Sequence, residues 1–250
     1  MIHSILLIGQ SNMAGRGFPN EVEPIVHKDL LVLRNGRWRK MYVPVNGDRP
    51  TAGINLAESF ALRYWEEKQV RVGLIPCADG GTCLDQWQVG SLLFDHTCYM
   101  ASLAQRTSTI AAVLWHQGES DCGEDRYPHY LEKLTVIMDA FRKKLNLYDV
   151  PFLLGGLGEY LVNYGNGEKG RNYVHINEAL RRYAATTPMT GYVSSEGLLP
   201  NPDQLHFCSA SLREFGLRYY EEFRRLENPN KVFEEKVEPD LAIRTELEDL

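Results

Sequence analysis

Short apolar runs alternate with amphipathic stretches along most of this 250-residue chain, and that alternation constrains the fold more than any other feature. Residues 5–8, 70–75, 110–115, 152–154 and 191–193 read as brief buried strands. Between them, residues 55–68 put Leu56, Phe60 and Tyr64 on one helical face, with Asn55 and Glu58 spaced as a capping box. Residues 128–145 repeat Leu131, Leu134, Met138, Phe141 and Leu145. Residues 172–183 repeat Tyr173, Ile176, Leu180 and Tyr183. Residues 209–226 repeat Leu212, Phe215, Tyr219 and Phe223, with Ser211 and Glu214 at capping-box spacing. Strands buried on both faces and joined by helices make a mostly parallel sheet covered on each side, an α/β fold. The segment 31–43 breaks the pattern. Its Asn35-Gly36 pair between apolar runs predicts a type I′ hairpin, read as an ornament between the first strand and the first long helix.

The length suits one substantial core, and no internal repeat is visible. We expect one domain over residues 1–226. Residues 227–250, rich in Glu and Asp and interrupted by Pro229 and Pro239, are expected to form an acidic C-terminal extension. The formal net charge of −6, with Lys and Arg scattered, argues against nucleic acid or an anionic membrane as partner. No apolar run approaches the roughly 20 residues that span a bilayer. The start, Met-Ile-His-Ser-Ile-Leu-Leu-Ile-Gly, lacks a basic region and a cleavage site, so it reads as a strand and not as a signal peptide. Five cysteines at spacings that match no zinc pattern suggest reduced thiols and a cytoplasmic setting; a disulfide stays open if an export signal precedes the chain. The oligomeric state is not legible.

Four polar clusters fall at predicted strand ends, where parallel sheets bind ligands. In Gly9-Gln10-Ser11-Asn12-Met13-Ala14-Gly15, the serine sits on a turn whose glycines permit unusual backbone angles, and its N–H can point at a substrate. The same turn suits phosphate, but no Gly-Lys-Ser/Thr follows. In Asp203-Gln204-Leu205-His206, a carboxylate three residues before a histidine can hold one imidazole nitrogen while the other takes a serine proton, although such a pair is commonly a surface pair. In His116-Gln117-Gly118-Glu119, the Gln117 amide can donate to an oxyanion, and Glu119 is a second carboxylate or a substrate contact. His116 fits a core histidine at least as well as a catalytic one, and no third metal ligand stands at sensible spacing. In Gly80-Gly81-Thr82-Cys83-Leu84-Asp85-Gln86-Trp87, Gly81 can bring a backbone N–H close to a substrate oxygen. Trp87 suits a sugar face and plain packing equally.

Together these blocks resemble the SGNH hydrolase superfamily, and within it the sialate O-acetylesterase-like group and carbohydrate esterase family six, which includes acetylxylan esterases. The resemblance spans residues 5–207 in the right order. It implies a three-layer α/β/α sandwich with a flavodoxin-like parallel sheet, and hydrolysis of acetyl esters on carbohydrates without a cofactor. It also implies Ser11 as nucleophile, His206 as base, and an oxyanion hole from the N–H groups of Ser11 and Gly81 and the Gln117 side chain. The orienting carboxylate is Asp203 by the superfamily pattern, with Glu119 as second candidate. A non-catalytic carbohydrate-binding protein on the same scaffold and a phosphate binder at the Gly9–Gly17 turn are the rival readings.

Overall fold

The computed structural model describes residues 1–236, apart from positions 229 and 234. Most of the acidic extension therefore lies outside the described residues. The elements run β1 (Ile2–Gly9), α1 (Ser11–Ala14), β2 (Leu30–Arg34), β3 (Arg37–Lys40), α2 (Leu56–Lys68), β4 (Arg71–Pro76), α3 (Leu92–Ala104), β5 (Thr109–His116), α4 (Tyr130–Leu145), β6 (Phe152–Gly155), α5 (Tyr173–Thr186), β7 (Thr190–Val193) and α6 (Ser209–Leu226).

The seven strands form one sheet in the order β3-β2-β4-β1-β5-β6-β7, parallel except for the β2–β3 pair. β1 is wholly buried, as a central strand with an apolar layer on each face must be. Helices α2 and α6 pack together as one layer, and α3, α4 and α5 adjoin as the other. The connection order reverses at β1, which has β4 on one side and β5 on the other. Loops leaving the C-terminal ends of these strands diverge there and open a crevice.

The capping box of α2 forms: Asn55 Oδ1 accepts from Ala57 N at 2.6 Å, and Glu58 Oε1 accepts from Asn55 N at 2.7 Å. Leu212, Phe215, Tyr219 and Phe223 of α6 are all buried, following the 3.6-residue repeat. Ser211 does not cap that helix. The helix begins at Ser209, and the Ser211 hydroxyl instead accepts from Leu199 N at 2.8 Å.

The hairpin is no ornament. Asn35 and Gly36 take positive φ (50° and 76°), the type I′ geometry, but β2 also pairs in parallel with β4 and so extends the main sheet. Leu30–Leu33 are buried, and Trp38 of β3 is buried with its Nε1 donating to Thr107 Oγ1 at 2.9 Å. No helix among the described residues is long and apolar enough to cross a membrane.

Candidate active site

β1 ends where it passes close to β5. A Cβ at Gly9 would lie 2.0 Å from the His116 carbonyl oxygen, and its φ of +138° is closed to other residues, so only glycine lets the chain turn there. Gln10 N then donates to His116 O at 2.9 Å, and α1 begins with Ser11. From the far side comes the turn at residues 200–207, closed by Asn201 N donating to His206 O.

The two segments meet in a line of hydrogen bonds. The Ser11 hydroxyl lies 2.9 Å from His206 Nε2, and His206 Nδ1 lies 2.6 Å from Asp203 Oδ2. A carboxylate only accepts, so Nδ1 carries the proton and Nε2 accepts from the serine hydroxyl. Asp203 Oδ1 accepts from the N–H groups of Leu205 and His206, both at 3.0 Å, which closes the turn that carries the ring. Partial burial pushes the Asp203 carboxyl up, but these two N–H groups and the His206 ring outweigh it and hold it below the usual range. The arrangement can take a proton from Ser11 and stabilise the imidazolium that results.

Glu119 does not reach His206. Its Oε1 meets His116 Nε2 at 3.1 Å and accepts from Asn12 Nδ2 at 2.5 Å. Burial pushes the Glu119 carboxyl up, and the His116 and Asn12 contacts pull it further down, so it sits below the usual range. His116 is fully buried between Phe207 and Phe215, the core position anticipated as one of its two readings. Among the described residues no group of His, Cys, Asp or Glu is arranged to hold a metal ion.

The loop after β4 is braced from residues 46–48. Asn46 clamps Ala78 through both its main-chain groups, and Asp48 Oδ2 accepts from Gly80 N at 2.8 Å. Asp48 is also gripped by both terminal nitrogens of buried Arg16, at 3.1 and 2.6 Å. A Cβ at Gly80 would meet Arg16 Nη2 at 2.5 Å and Asp48 Oδ2 at 2.9 Å, so any side chain there would push against this ion pair. Gly81 follows with φ +78° and open space around it, beside Ser11 in a cavity of about 680 Å³.

One expected contact differs, and of the two readings of Trp87 the structure has plain packing. The Gln117 side chain is fully buried and does not line the cavity. Its Nε2 is engaged by Asp121 Oδ2 (2.5 Å), Thr82 O (3.0 Å) and Gln10 Oε1 (3.2 Å), leaving no free donor for an oxyanion. Gln10 lines the cavity instead, with its Oε1 facing the N–H groups of Gln117, Gly118 and Ser120 at 3.2–3.4 Å. Trp87 is a core residue, its Nε1 donating to Thr82 Oγ1 and its ring edge-on to Trp115. Sequence reasoning did not single out Gln10, Asn12, Arg16, Asn46 or Asp48. The first two adjoin Ser11, which was their signal, whereas nothing local marks residues 46–48.

Residues 2–225 match the family described as carbohydrate esterase, sialic acid-specific acetylesterase. The chain belongs to that family. The esterase is 30% identical over 243 residues to a probable carbohydrate esterase of Arabidopsis thaliana, covering 85% of this chain and 86% of the relative. An X-ray structure of an Arabidopsis thaliana protein superposes with a TM-score of 0.80 at 24% identity, covering 89% of this chain and 98% of that one. A carbohydrate acetylesterase from Xanthomonas citri superposes with a TM-score of 0.70 at 18% identity, covering 90% of this chain and 56% of that one. The fold is thus an α/β architecture shared with structures such as a lipase/acylhydrolase from Enterococcus faecalis, and the esterase is a carboxylic ester hydrolase of the carbohydrate acetylesterase type.

Proposed function

We propose that the esterase removes O-acetyl groups from a carbohydrate by nucleophilic catalysis, with Ser11 as nucleophile, His206 as general base and Asp203 as the orienting carboxylate. The observation that carries this reading is the unbroken Ser11–His206–Asp203 line of hydrogen bonds at the cavity wall. His206 takes the Ser11 proton as the hydroxyl oxygen attacks the acetyl carbonyl. The tetrahedral oxyanion is held by the N–H groups of Ser11 and Gly81. The Gln10 amide is the third donor in place of Gln117: its oxygen faces three N–H groups, so its NH₂ end is the one left toward the cavity. His206 then protonates the departing sugar oxygen, and water activated by the same ring releases acetate.

Acetylated sialic acid and acetylated oligosaccharide are both substrates of the proposed class, and the cavity has room for a sugar beside the acyl group. All five cysteines are unpaired, which supports a reducing, cytoplasmic setting. We assign catalysis to residues 1–226, with residues 227–250 as an extension to that unit.

Hydrolysis of p-nitrophenyl acetate by the wild-type chain and by Ser11→Ala and His206→Ala tests the reading. Turnover that collapses in both variants supports it. Equal turnover by wild type and Ser11→Ala, or none by either, removes Ser11 from its role and favours a carbohydrate-binding protein.

A further inference from the structure

We infer that Asn12 and Glu119 are positioning residues, which hold the His206 ring on Ser11 by gripping the chain on both sides of it. The inference rests on the reading of Ser11 and His206 as nucleophile and base.

Asn12 Oδ1 accepts from Phe207 N at 3.0 Å, and Asn12 Nδ2 donates to Leu205 O at 3.2 Å. His206 is the residue between those two. Tyr160 Oη adds a second donor to Leu205 O at 3.4 Å. Because Asn12 follows Ser11 directly in α1, one helical turn carries both the reacting hydroxyl and the clamp on its partner. The Ser11–His206 distance is therefore set inside a small closed ring of bonds. A shift of about 1 Å between reacting groups is enough to cost roughly 10²-fold in rate.

Glu119 fixes the clamp. Its Oε1 receives Asn12 Nδ2 at 2.5 Å and is held from below by His116 Nε2 at 3.1 Å. That contact determines which end of the Asn12 amide is the donor, and hence that its oxygen faces Phe207 N. Glu119 has no direct route to the His206 ring, since Asp203 occupies Nδ1 and Ser11 occupies Nε2. Its influence on the base runs through Asn12, and it is distinct from the orienting role of Asp203.

The test measures kcat and KM for p-nitrophenyl acetate, with melting temperature, for Asn12→Asp, Glu119→Gln and the two combined. Asn12→Asp removes the donor and sets two carboxylates against each other. We expect kcat to fall by about 10²-fold with little change in KM. Glu119→Gln keeps an acceptor for Asn12 and loses less. The combination relieves the repulsion and lets the new amide donate to the new carboxylate, reversing that bond, but leaves Leu205 O without its donor from residue 12, so it regains about tenfold, and not all, of the kcat lost by Asn12→Asp alone. Losses that multiply in the combined variant, or Asn12→Asp that melts earlier yet keeps wild-type kcat, overturn the inference. If Asn12→Asp does not fold, Asn12→Ser, uncharged but too short for the clamp, is read in the same way. Ser11→Ala runs alongside: if it retains turnover, the nucleophile assignment fails, an outcome separate from anything the Asn12 variants do.

Discussion

A serine hydroxyl is a weak nucleophile, and an acetyl carbonyl does not readily accept negative charge. In the proposed mechanism the residues around Ser11 address both problems, and the second rests on which of two glutamines faces the cavity. Gln10 and Gln117 are the next positions after Gly9 and His116, which pair across β1 and β5. They therefore stand side by side at the C-terminal end of the central strands with the same chemistry. The Gln117 amide is spent on Asp121, Thr82 and Gln10, so its removal is a matter of stability. Gln117→Ala should leave the Asp121 carboxylate short of a buried donor and cost about 1–3 kcal/mol in urea unfolding, with a much smaller effect on kcat than a change at Gln10. Gln10→Glu keeps an oxygen for its three N–H partners and removes the donor. It should lower kcat by about 10²–10³-fold with a modest change in KM. Wild-type kcat in Gln10→Glu would exclude Gln10 as an oxyanion donor. Ser11, Asp203 and His206, which the structure brings into one line of hydrogen bonds, could be picked out of the sequence because each lies in a short local pattern that dictates its own turn. The choice between Gln10 and Gln117 was not legible, since a sequence states residue type and register but not which neighbour claims an amide.

At the scale of elements, the loop carrying Gly81 depends on a segment far from it in the chain. Asp48 is the keystone, taking Gly80 N and both ends of Arg16 in a nearly closed environment. Burial alone pushes the Asp48 carboxyl up, but Arg16 and the Gly80 N–H outweigh it, and the group sits below the ordinary carboxylate range. A depressed carboxylate contributes stability that is complete above its unfolded value and is lost as pH falls through the lower folded value. Asp48→Ala strands the Arg16 guanidinium and should cost roughly 3–5 kcal/mol near neutral pH, read from urea midpoints. The difference from wild type should shrink only at pH below the ordinary Asp range, and an equal midpoint at neutral pH would show the pair to be expendable. This brace was invisible beforehand because residues 46–48 carry no periodicity and their partners lie 32 residues away along the chain. Helix α3 escaped notice for a different reason. Its buried face is built largely from small side chains, Thr97, Cys98, Ala101 and Ala104 beside Phe94, while Leu92 and Tyr99 point outward. The large-residue repeat that betrays α2, α4 and α6 is absent there. The hairpin strands were legible but not their place in the sheet, since parallel pairing with β4 is a long-range contact that no local pattern encodes.

Across the whole molecule, the site lies at the C-terminal ends of β1 and β5, and the opposite end of the sheet holds a second ionisable cluster. His3, at the start of β1, is buried with Nδ1 2.7 Å from Tyr64 Oη and its ring stacked on Phe233, from the chain that returns after α6. Burial first, and then the positive charges of Met1, Lys68 and Lys231, lower the His3 pKa to about 4. The folded protein therefore keeps His3 neutral where the unfolded chain, titrating near 6.5, takes up a proton. Stability from this group is complete above about pH 6.5 and is lost progressively as pH falls toward 4, up to roughly 3 kcal/mol in all. The rest of β1, from His3 to Gly9, puts His3 about 20 Å from the end of the strand that carries Ser11, so the effect acts on folding and leaves the chemistry alone. Urea unfolding at pH 7 and pH 4.5 should show wild type losing more stability on acidification than His3→Gln. The kcat of the two proteins, measured where both are folded, should follow the same pH profile. An identical acid loss in wild type and His3→Gln would mean that this end of the sheet opens enough for His3 to protonate while the fold stays intact.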